Sequence, residues 1–189
     1  MGYVEQKTKW SARLFQGFAR RFKQWAYKIK DDLLEFGIES KMSDIMTNDT
    51  TIKKTGQHIS PRPAVILFTK YYEEFTEFKK RWYPNGKKEI PSDIKVSPSL
   101  IANWHLGDGE YDPTTGRVGL SINSFSKTDV FLAKNKLKHE LGIDPKVYPN
   151  RRQNNQPRFK FSQTDSKVFL QYIKDWIVPC FAYKWGNIN

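Results

Sequence analysis

The sequence predicts an α+β fold with two pseudo-symmetric halves, because one order of elements occurs twice along the chain. Residues 11–38 and 118–143 each have the pattern of an alternating strand followed by an amphipathic helix and a glycine. A second strand and a second helix follow in each case. We therefore expect a first half at 1–90 and a second half at 98–189.

The second strand and helix also have a matching signature in the two halves. Residues 61–69 and 157–162 each lead into a helix that ends at a tryptophan shortly before a proline. Between these elements, the polar segment 39–60 indicates a long loop or a hairpin. Residues 84–97 contain proline and glycine and are predicted to link the halves.

Composition points to a polyanionic partner. Among 189 residues, 38% are hydrophobic, which is enough to bury a core, and the net charge is +12. A charge of this size favours nucleic acid as the partner and, after it, an anionic membrane surface. No apolar run approaches the roughly 18 residues of a membrane span. The single Cys180 excludes an internal disulfide, and the scattered histidines form no metal-ligand pair.

Residues 9–30 are basic and aromatic and contain no acid, a pattern that organelle transit peptides also show. The apolar residues of this region recur at helical spacing, which favours a folded helix with these positions in its core: Phe22, Trp25, Ile29 and Leu33. Arg20 and Arg21 would then be exposed cations.

The most informative motif is the stretch 100–109, Leu-Ile-Ala-Asn-Trp-His-Leu-Gly-Asp-Gly. An apolar helix, predicted over 98–109, ends in the carboxylate of Asp108 between two glycines. Glycine supplies the left-handed conformation that ends a helix, and its lack of a Cβ permits close approach. Asp108 would thus lie at a fixed, crowded position. The alternative is that Asp108 only hydrogen-bonds nearby backbone at the helix end.

This motif, the stretch Asn123-Ser124-Phe125-Ser126 and the closing Val178-Pro179-Cys180-Phe181-Ala182-Tyr183-Lys184 resemble the LAGLIDADG homing endonucleases and maturases. The stretch Gly86-Lys87-Lys88-Glu89-Ile90-Pro91 resembles the closing feature of that family's first half. The single-chain members with two motifs are the most similar pattern. The resemblance implies that antiparallel sheets of both halves form a saddle that binds nucleic acid.

The resemblance also implies a catalytic set. In that family two motif helices pack side by side, and each supplies one acid to metal ions at the cleaved phosphates. Asp108 is accordingly expected to bind Mg²⁺, which prefers oxygen ligands. Lys88 and Lys184 are expected to offset charge at the phosphate, and Gln16 and Asn123 to lie near the metal.

Only one good copy of the motif helix is recognisable. When Asp108-Gly109 is laid over the start of the chain, Met1 falls at the position of the first acid. We expect either that the first motif helix has been lost or that the sequence begins inside a longer product. The protein would then be an inactive remnant of an endonuclease, unless another chain or segment supplies the second acid.

The residues expected to contact nucleic acid are polar or basic. Arginine, glutamine and asparagine can make bidentate contacts to bases, and basic loops bind phosphates. Strand alternation puts Arg13 and Phe15 on one face and Gln16 on the other, unless a bulge intervenes. The expected contacts are Arg13, Arg20, Arg21, Lys53, Lys54, Arg117, Ser121, Arg151, Arg152, Arg158 and Lys160.

Three functions are consistent with these features. The first is RNA binding without cleavage, as an intron maturase or within an organellar ribonucleoprotein such as the ribosome. The second is site-specific DNA cleavage with Mg²⁺. The third is protein docking, because the apolar helix 100–108 without its twin must be covered by a protein, by RNA or by a rearranged N-terminus. Family habit and the Lys/Asn-rich composition suggest a mitochondrial or other organellar location.

Overall fold

A computed structural model of the protein describes residues 2–8, 11–51, 56, 58–123, 125–150 and 156–186. The fold is α+β with antiparallel sheets, as the sequence predicts. The chain forms two compact units, Met1–Lys80 and Arg81–Asn189. Each unit has a four-stranded sheet.

The first unit begins with two paired strands and has its first helix after them. The sheet order is β1-β2-β6-β3, and β4 and β5 form a separate antiparallel pair within the polar segment 39–60. The elements are β1 (Gly2–Thr8), β2 (Ser11–Ala19), α1 (Lys23–Glu35), β3 (Ser40–Met46), β4 (Thr50–Thr51), β5 (His58–Ile59), β6 (Pro63–Thr69) and α2 (Glu73–Trp82), the last two residues of which belong to the second unit.

The second unit repeats this order after one additional helix. Its elements are α3 (Pro98–Asp108), β7 (Gly109–Asp112), β8 (Arg117–Ser121), α4 (Lys127–Leu141), β9 (Lys146–Asn150), β10 (Gln156–Lys160) and α5 (Gln163–Tyr172), followed by 3-10 helices at Lys174–Trp176 and Pro179–Lys184. The sheet order β7-β8-β10-β9 matches that of the first unit. Among the described residues, no helix is both long enough and apolar enough to cross a membrane.

Two glycines end the corresponding helices α1 and α4, as predicted. Gly37 has φ 72° and Gly142 has φ 70°, so both adopt the left-handed conformation that side chains disfavour. After α1, the amide of Ile38 donates to the Leu33 carbonyl at 2.9 Å, which closes the helix end.

Each unit buries apolar residues between its own sheet and helices. In the first unit, Phe18, Ala26, Val65 and Leu67 form the core, and the predicted helix positions pack against it: Phe22, Trp25, Ile29 and Leu33. In the second unit, alternate strand residues are buried: Val118, Leu120, Phe159 and Phe161. The period of two along these strands therefore separates a core face from an outer face.

The segment 84–97, predicted as a linker between halves, packs on the second unit. The Ile90 amide donates to the Asp129 carboxylate at 2.7 Å, and Lys136 Nζ donates to the Ile94 carbonyl at 2.8 Å. Asp129 also closes the N-terminal capping box of α4 with Ser126. This segment is therefore held along α4.

Candidate functional site

Helix α3 places Asp108 at its last position. Ser97 caps its N-terminus by accepting a hydrogen bond from the Leu100 amide, and Pro98 occupies the first turn. The helix buries Ile101, Ala102, His105 and Leu106. Because the helix is held along its length, its final carboxylate has a defined position.

The glycine after Asp108 does not play the conformational role that we predicted. Gly109 is extended, with φ −86° and ψ 154°, and not left-handed. A Cβ at this position would lie 2.1 Å from His105 Nδ1 and 2.4 Å from the His105 carbonyl oxygen. Glycine is required here because strand β7 leaves the helix directly over His105.

Lys184 closes the carboxyl end of α3. Its Nζ donates to the carbonyls of His105 at 3.1 Å and Leu106 at 2.8 Å, two acceptors in the last turn of the helix. The His105 carbonyl also accepts from the Gly109 amide. Burial lowers the pKa of Lys184 to about 8, although the carboxylates of Asp108 and Glu110 oppose this shift. A cation at the C-terminal end of a helix also interacts favourably with the helix dipole. Lys184 thus supports the segment that carries Asp108, and its catalytic role stays a prediction.

His105 is a buried, neutral partner in the same arrangement. Burial lowers its pKa to about 4. Its Nε2 lies 3.1 Å from the Lys184 carbonyl oxygen, which can only accept, so Nε2 carries the proton. The ring meets Trp185 edge-on, with centroids 5.0 Å apart. His105 and Lys184 therefore join the end of α3 to the last 3-10 helix.

Asp108 lines a polar pocket in the second unit, a cavity of about 340 Å³. Three residues predicted from the sequence also line it: Ser121, Asn123 and Arg158. Two residues that sequence reasoning missed complete its polar wall, Glu110 and Gln156. Glu110 forms an ion pair with Arg158, and Gln156 Oε1 accepts from Asn123 Nδ2 at 2.7 Å. The proximity of Glu110 to Asp108 in sequence was the available signal.

The donor set of the polar pocket would suit one hard divalent cation that keeps water or phosphate ligands. Asp108 offers a carboxylate, and Glu110 would offer a second one if it exchanged its ion pair with Arg158 for the cation. Mg²⁺ commonly takes one or two carboxylates and completes its shell from water and phosphate. Within the described residues there is no cluster of three or more histidine, cysteine, aspartate or glutamate side chains that could enclose a metal. The protein would therefore share the ion with its substrate.

Lys88 approaches Asp108 from a second, mostly apolar cavity of about 250 Å³. Asp108 and Lys88 both line it, together with Trp82, Ile90 and Trp104. The Lys88 Nζ lies 4.4 Å from the centroid of the Phe125 ring. Burial lowers the pKa of Lys88, and the Asp108 carboxylate opposes that shift. The structure therefore gathers Lys88, Lys184 and Asn123 around Asp108.

The strand face opposite the second core carries four of the predicted contacts. Directly paired residues of neighbouring antiparallel strands point to the same side. Arg158 pairs with Ser121 and Tyr148, and Lys160 pairs with Gly119 and Lys146. We call this surface the second outer face; its members are Glu110, Asp112, Arg117, Gly119, Ser121, Lys146, Tyr148, Arg158 and Lys160. Lys146 and Tyr148 were not predicted.

Asn123 lies beyond the strand that we expected to contain it. Strand β8 ends at Ser121, and Asn123 is an exposed residue of the turn that leads to the Ser126 cap of α4. Asn123 therefore lies in a turn at the edge of the polar pocket. Ser124 falls outside the described residues.

The first sheet resolves the conflict between Arg13 and Gln16. Residues 13–16 pair with 2–5 without a register shift, so no bulge intervenes. Gln16 pairs with Leu67 on the core face, whereas Arg13 and Phe15 lie on the opposite side, the first outer face. The role expected for Gln16 stays a prediction. The first outer face also includes Gly17, Lys41, Ser43, Ile45, Ile66 and Phe68.

The remaining predicted cations divide into two groups. Arg20 and Arg21 are exposed in a 3-10 turn before α1, and the Arg21 guanidinium carbon lies 4.7 Å from the Phe22 ring centroid. Four predicted residues lie outside the described part of the chain: Lys53, Lys54, Arg151 and Arg152.

The fold and the site define an α+β protein of the nucleic-acid-binding, endonuclease-like class. The chain belongs to the LAGLIDADG DNA endonuclease family, whose model matches residues 16–169. The resemblance read from the motifs is therefore confirmed.

Two curated relatives align with part of the chain. An uncharacterised protein of Methanocaldococcus jannaschii is 29% identical over 121 residues, covering 63% of this chain and 47% of the relative. The cytochrome b mRNA maturase bI2 of Debaryomyces hansenii is 29% identical over 149 residues, covering 74% of this chain and 54% of the maturase. The chain thus spans about half the length of these relatives.

Solved homing endonucleases share the fold. I-WcaI bound to its DNA recognition sequence is 18% identical with a TM-score of 0.76, covering 99% of this chain and 81% of I-WcaI. I-DmoI in complex with DNA and calcium is 14% identical with a TM-score of 0.56, covering 91% of this chain and 81% of I-DmoI. A second I-DmoI complex contains DNA and manganese; it is 13% identical with a TM-score of 0.52, covering 92% of this chain and 86% of I-DmoI.

Proposed function

We propose that this protein binds RNA as an intron maturase, a splicing helper that holds RNA on the outer faces of its sheets. The observation that carries the proposal is the second outer face, where Arg117, Arg158 and Lys160 lie on one side of a single sheet. The net charge of +12 supports a polyanionic partner. The alignment with a cytochrome b mRNA maturase supports the choice of RNA.

The outer face suits recognition by phosphate contacts together with a few base contacts. Lysines and arginines bind the backbone, while Ser121 and Asn123 offer short polar groups beside them. RNA presents shape, 2′-hydroxyls and unpaired bases to such a surface. Recruitment into a ribonucleoprotein such as the ribosome is a finer proposal that rests on the same chemistry. An organellar location is a further proposal, which family habit and the Lys/Asn-rich composition support.

The proposal is tested by competition between two nucleic acids. Purified protein is offered a randomised RNA pool and a randomised duplex DNA pool in the same buffer, and the retained molecules are quantified. We expect the RNA pool to be retained and enriched, and affinity to fall by orders of magnitude between about 50 and 200 mM salt. Preferential retention of duplex DNA would refute the maturase function, and retention of neither pool would refute nucleic-acid binding.

A second candidate is Mg²⁺-dependent DNA cleavage, which the polar pocket favours. There Asp108 and Glu110 present carboxylates beside Arg158, and Lys88 approaches Asp108 from the neighbouring cavity. In the LAGLIDADG family, a complete active site has one acid from each of two motif helices. The second acid would have to come from another segment or another chain. Cleavage of a duplex DNA library by the wild type with Mg²⁺, lost in Asp108→Asn, would establish this activity in place of binding alone.

The argument for protein docking is weaker in the folded chain. Ile101 and Leu106, which we expected a partner or the N-terminal residues to cover, are 2% and 3% exposed. Trp104 is half-buried: its ring meets Phe125 and Phe159 edge-on, and its Nε1 donates to the Ser121 carbonyl at 3.3 Å. Ile101 and Leu106 are thus covered by this chain, while Leu100 and Trp104 line the mostly apolar cavity of about 250 Å³.

A further inference from the structure

The first unit contains a cavity of about 410 Å³ at one end of its sheet, where β2 and β3 begin and β6 ends. Its volume is within the range of small-molecule sites. Arg13 and Phe68 come from the strands, Tyr71 follows β6, and Leu34 and Ile38 come from the end of α1. The cavity therefore combines aromatic and aliphatic walls with a cation.

Positive charge dominates the lining of the cavity. Its cations are Arg13, Lys30, Lys41 and Lys70, and its acid is Glu39, which pairs with Lys70. Lys30 and Lys41 form no ion pair within the described part of the chain. The Glu39 carboxylate also interacts with Lys41, so four cations of the lining face one acid, and this excess of positive charge favours an anionic ligand.

Three aromatic rings surround the Arg13 guanidinium. Its carbon lies 5.3 Å from the Tyr71 centroid, 5.7 Å from Phe68 and 5.8 Å from Phe15. These contacts hold the guanidinium against the rings. Unstacked bases bind by stacking on aromatic rings and on arginine planes. The cavity thus offers a base and a phosphate their preferred partners.

We propose that this cavity binds one unpaired nucleotide of an RNA strand. Its base lies against Tyr71 and Phe68, and its phosphate lies near Lys30 and Lys41. A paired base has both faces occupied by its neighbours and would not enter, so the site selects single strands. This inference deepens the proposed function and rests on it for the choice of RNA.

The test uses fluorescein-labelled hexauridylate and a blunt RNA duplex as probes. Tyr71→Leu is expected to weaken hexauridylate binding about tenfold, since stacking on an aromatic ring is lost, while duplex affinity stays within about twofold. Lys41→Gln is expected to lower the salt slope for hexauridylate by about 0.7. The matched first-unit controls, Tyr27→Leu and Lys79→Gln, lie outside the cavity and should change neither affinity.

Crosslinking of the wild type provides a readout that no folding defect can affect. Hexauridylate is crosslinked by ultraviolet light and the modified peptides are mapped. A crosslink at Phe68 or Tyr71 supports the site, whereas crosslinks confined to the second unit overturn it. Equal binding of hexadeoxyuridylate would overturn the assignment to RNA.

The two proposals fail in different ways. If the wild type retains the RNA pool but does not bind hexauridylate, or if Tyr71→Leu binds it as the wild type does, the nucleotide site is wrong and the maturase function stands. If hexauridylate binds through Tyr71 but duplex DNA outcompetes the RNA pool, the maturase function is wrong and the cavity stands.

Discussion

The two sheets share one strand order but present different chemistry on their outer faces. The first outer face surrounds Arg13 with rings and carries Ile45 and Ile66. The second outer face is polar and lies beside the Asp108 carboxylate. The same topology therefore presents two different surfaces, and under the proposals above one suits stacking while the other suits phosphate and metal contacts.

Lowering the pH should produce the largest difference in stability between the two units, because His105 lies in the second unit. The pKa of His105 is about 4 in the folded protein, whereas the unperturbed pKa of histidine is 6.5. Between these pH values the unfolded state therefore binds more protons than the folded state. Stability of the second unit should fall by about 3 kcal/mol as pH drops through this window. Hydrogen exchange, corrected for intrinsic rates, should show faster opening of 98–106 than of 64–68.

His105→Gln retains an amide donor and removes the titration, so its acid sensitivity in this window should disappear. His139→Gln, an exposed position on α4, serves as the control and should behave as the wild type does. Equal acid sensitivity in all three proteins would contradict the role assigned to His105.

The second-largest difference between the units should be in metal binding, which we expect of the second unit. Asp108→Asn removes a carboxylate from the polar pocket, and we expect Mn²⁺ affinity to fall about 100-fold, the upper range for residues that merely orient ligands. Asp112→Asn, on the same outer face but outside the pocket, should bind Mn²⁺ normally. The broadening of the protein's NMR resonances by Mn²⁺ measures the affinity of both variants. If Asp108→Asn showed the same broadening as the wild type, the assignment of the metal site to Asp108 would be wrong.

Alanine substitution of one glycine in each unit should give opposite results. Gly109→Ala places a Cβ 2.1 Å from His105 Nδ1 and should cost about 2 kcal/mol of unfolding free energy through overpacking. Gly17→Ala in β2 has no atom within 4 Å and should be neutral or slightly stabilising. Urea denaturation checks both variants. Equal stability of the two would mean that β7 can shift away from α3.

The smallest effect should come from single cations on the second outer face. Lys160→Gln removes one phosphate contact and should reduce the salt slope of RNA binding by about 0.7 to 0.9, with affinity only several-fold weaker. Lys167→Gln, exposed on α5, should leave the slope unchanged. Identical slopes for these two variants would show that the RNA lies elsewhere.

Local sequence patterns were sufficient where one element determined the outcome. The alternating strands, the helical spacing of Phe22, Trp25 and Ile29, and the glycine ends at Gly37 and Gly142 depend on neighbours close in sequence. The predicted grouping of Arg117, Ser121, Arg158 and Lys160 follows from the same period of two. The repeat of these patterns predicted the two related units.

The sequence by itself thus determined the fold class, the family and the position of Asp108 at a helix end. Only the tertiary structure decided that Gly109 is needed for its closeness to His105, and that Lys184 reaches the carbonyls of α3, 78 and 79 residues away. It likewise showed that Ile101 and Leu106 are buried and that Glu110 and Gln156 share a pocket with Asp108. Lys184 and Gln156 reach the end of α3 from distant parts of the chain, and the close approach of Gly109 to His105 depends on the direction in which β7 leaves α3. No local period encodes these contacts.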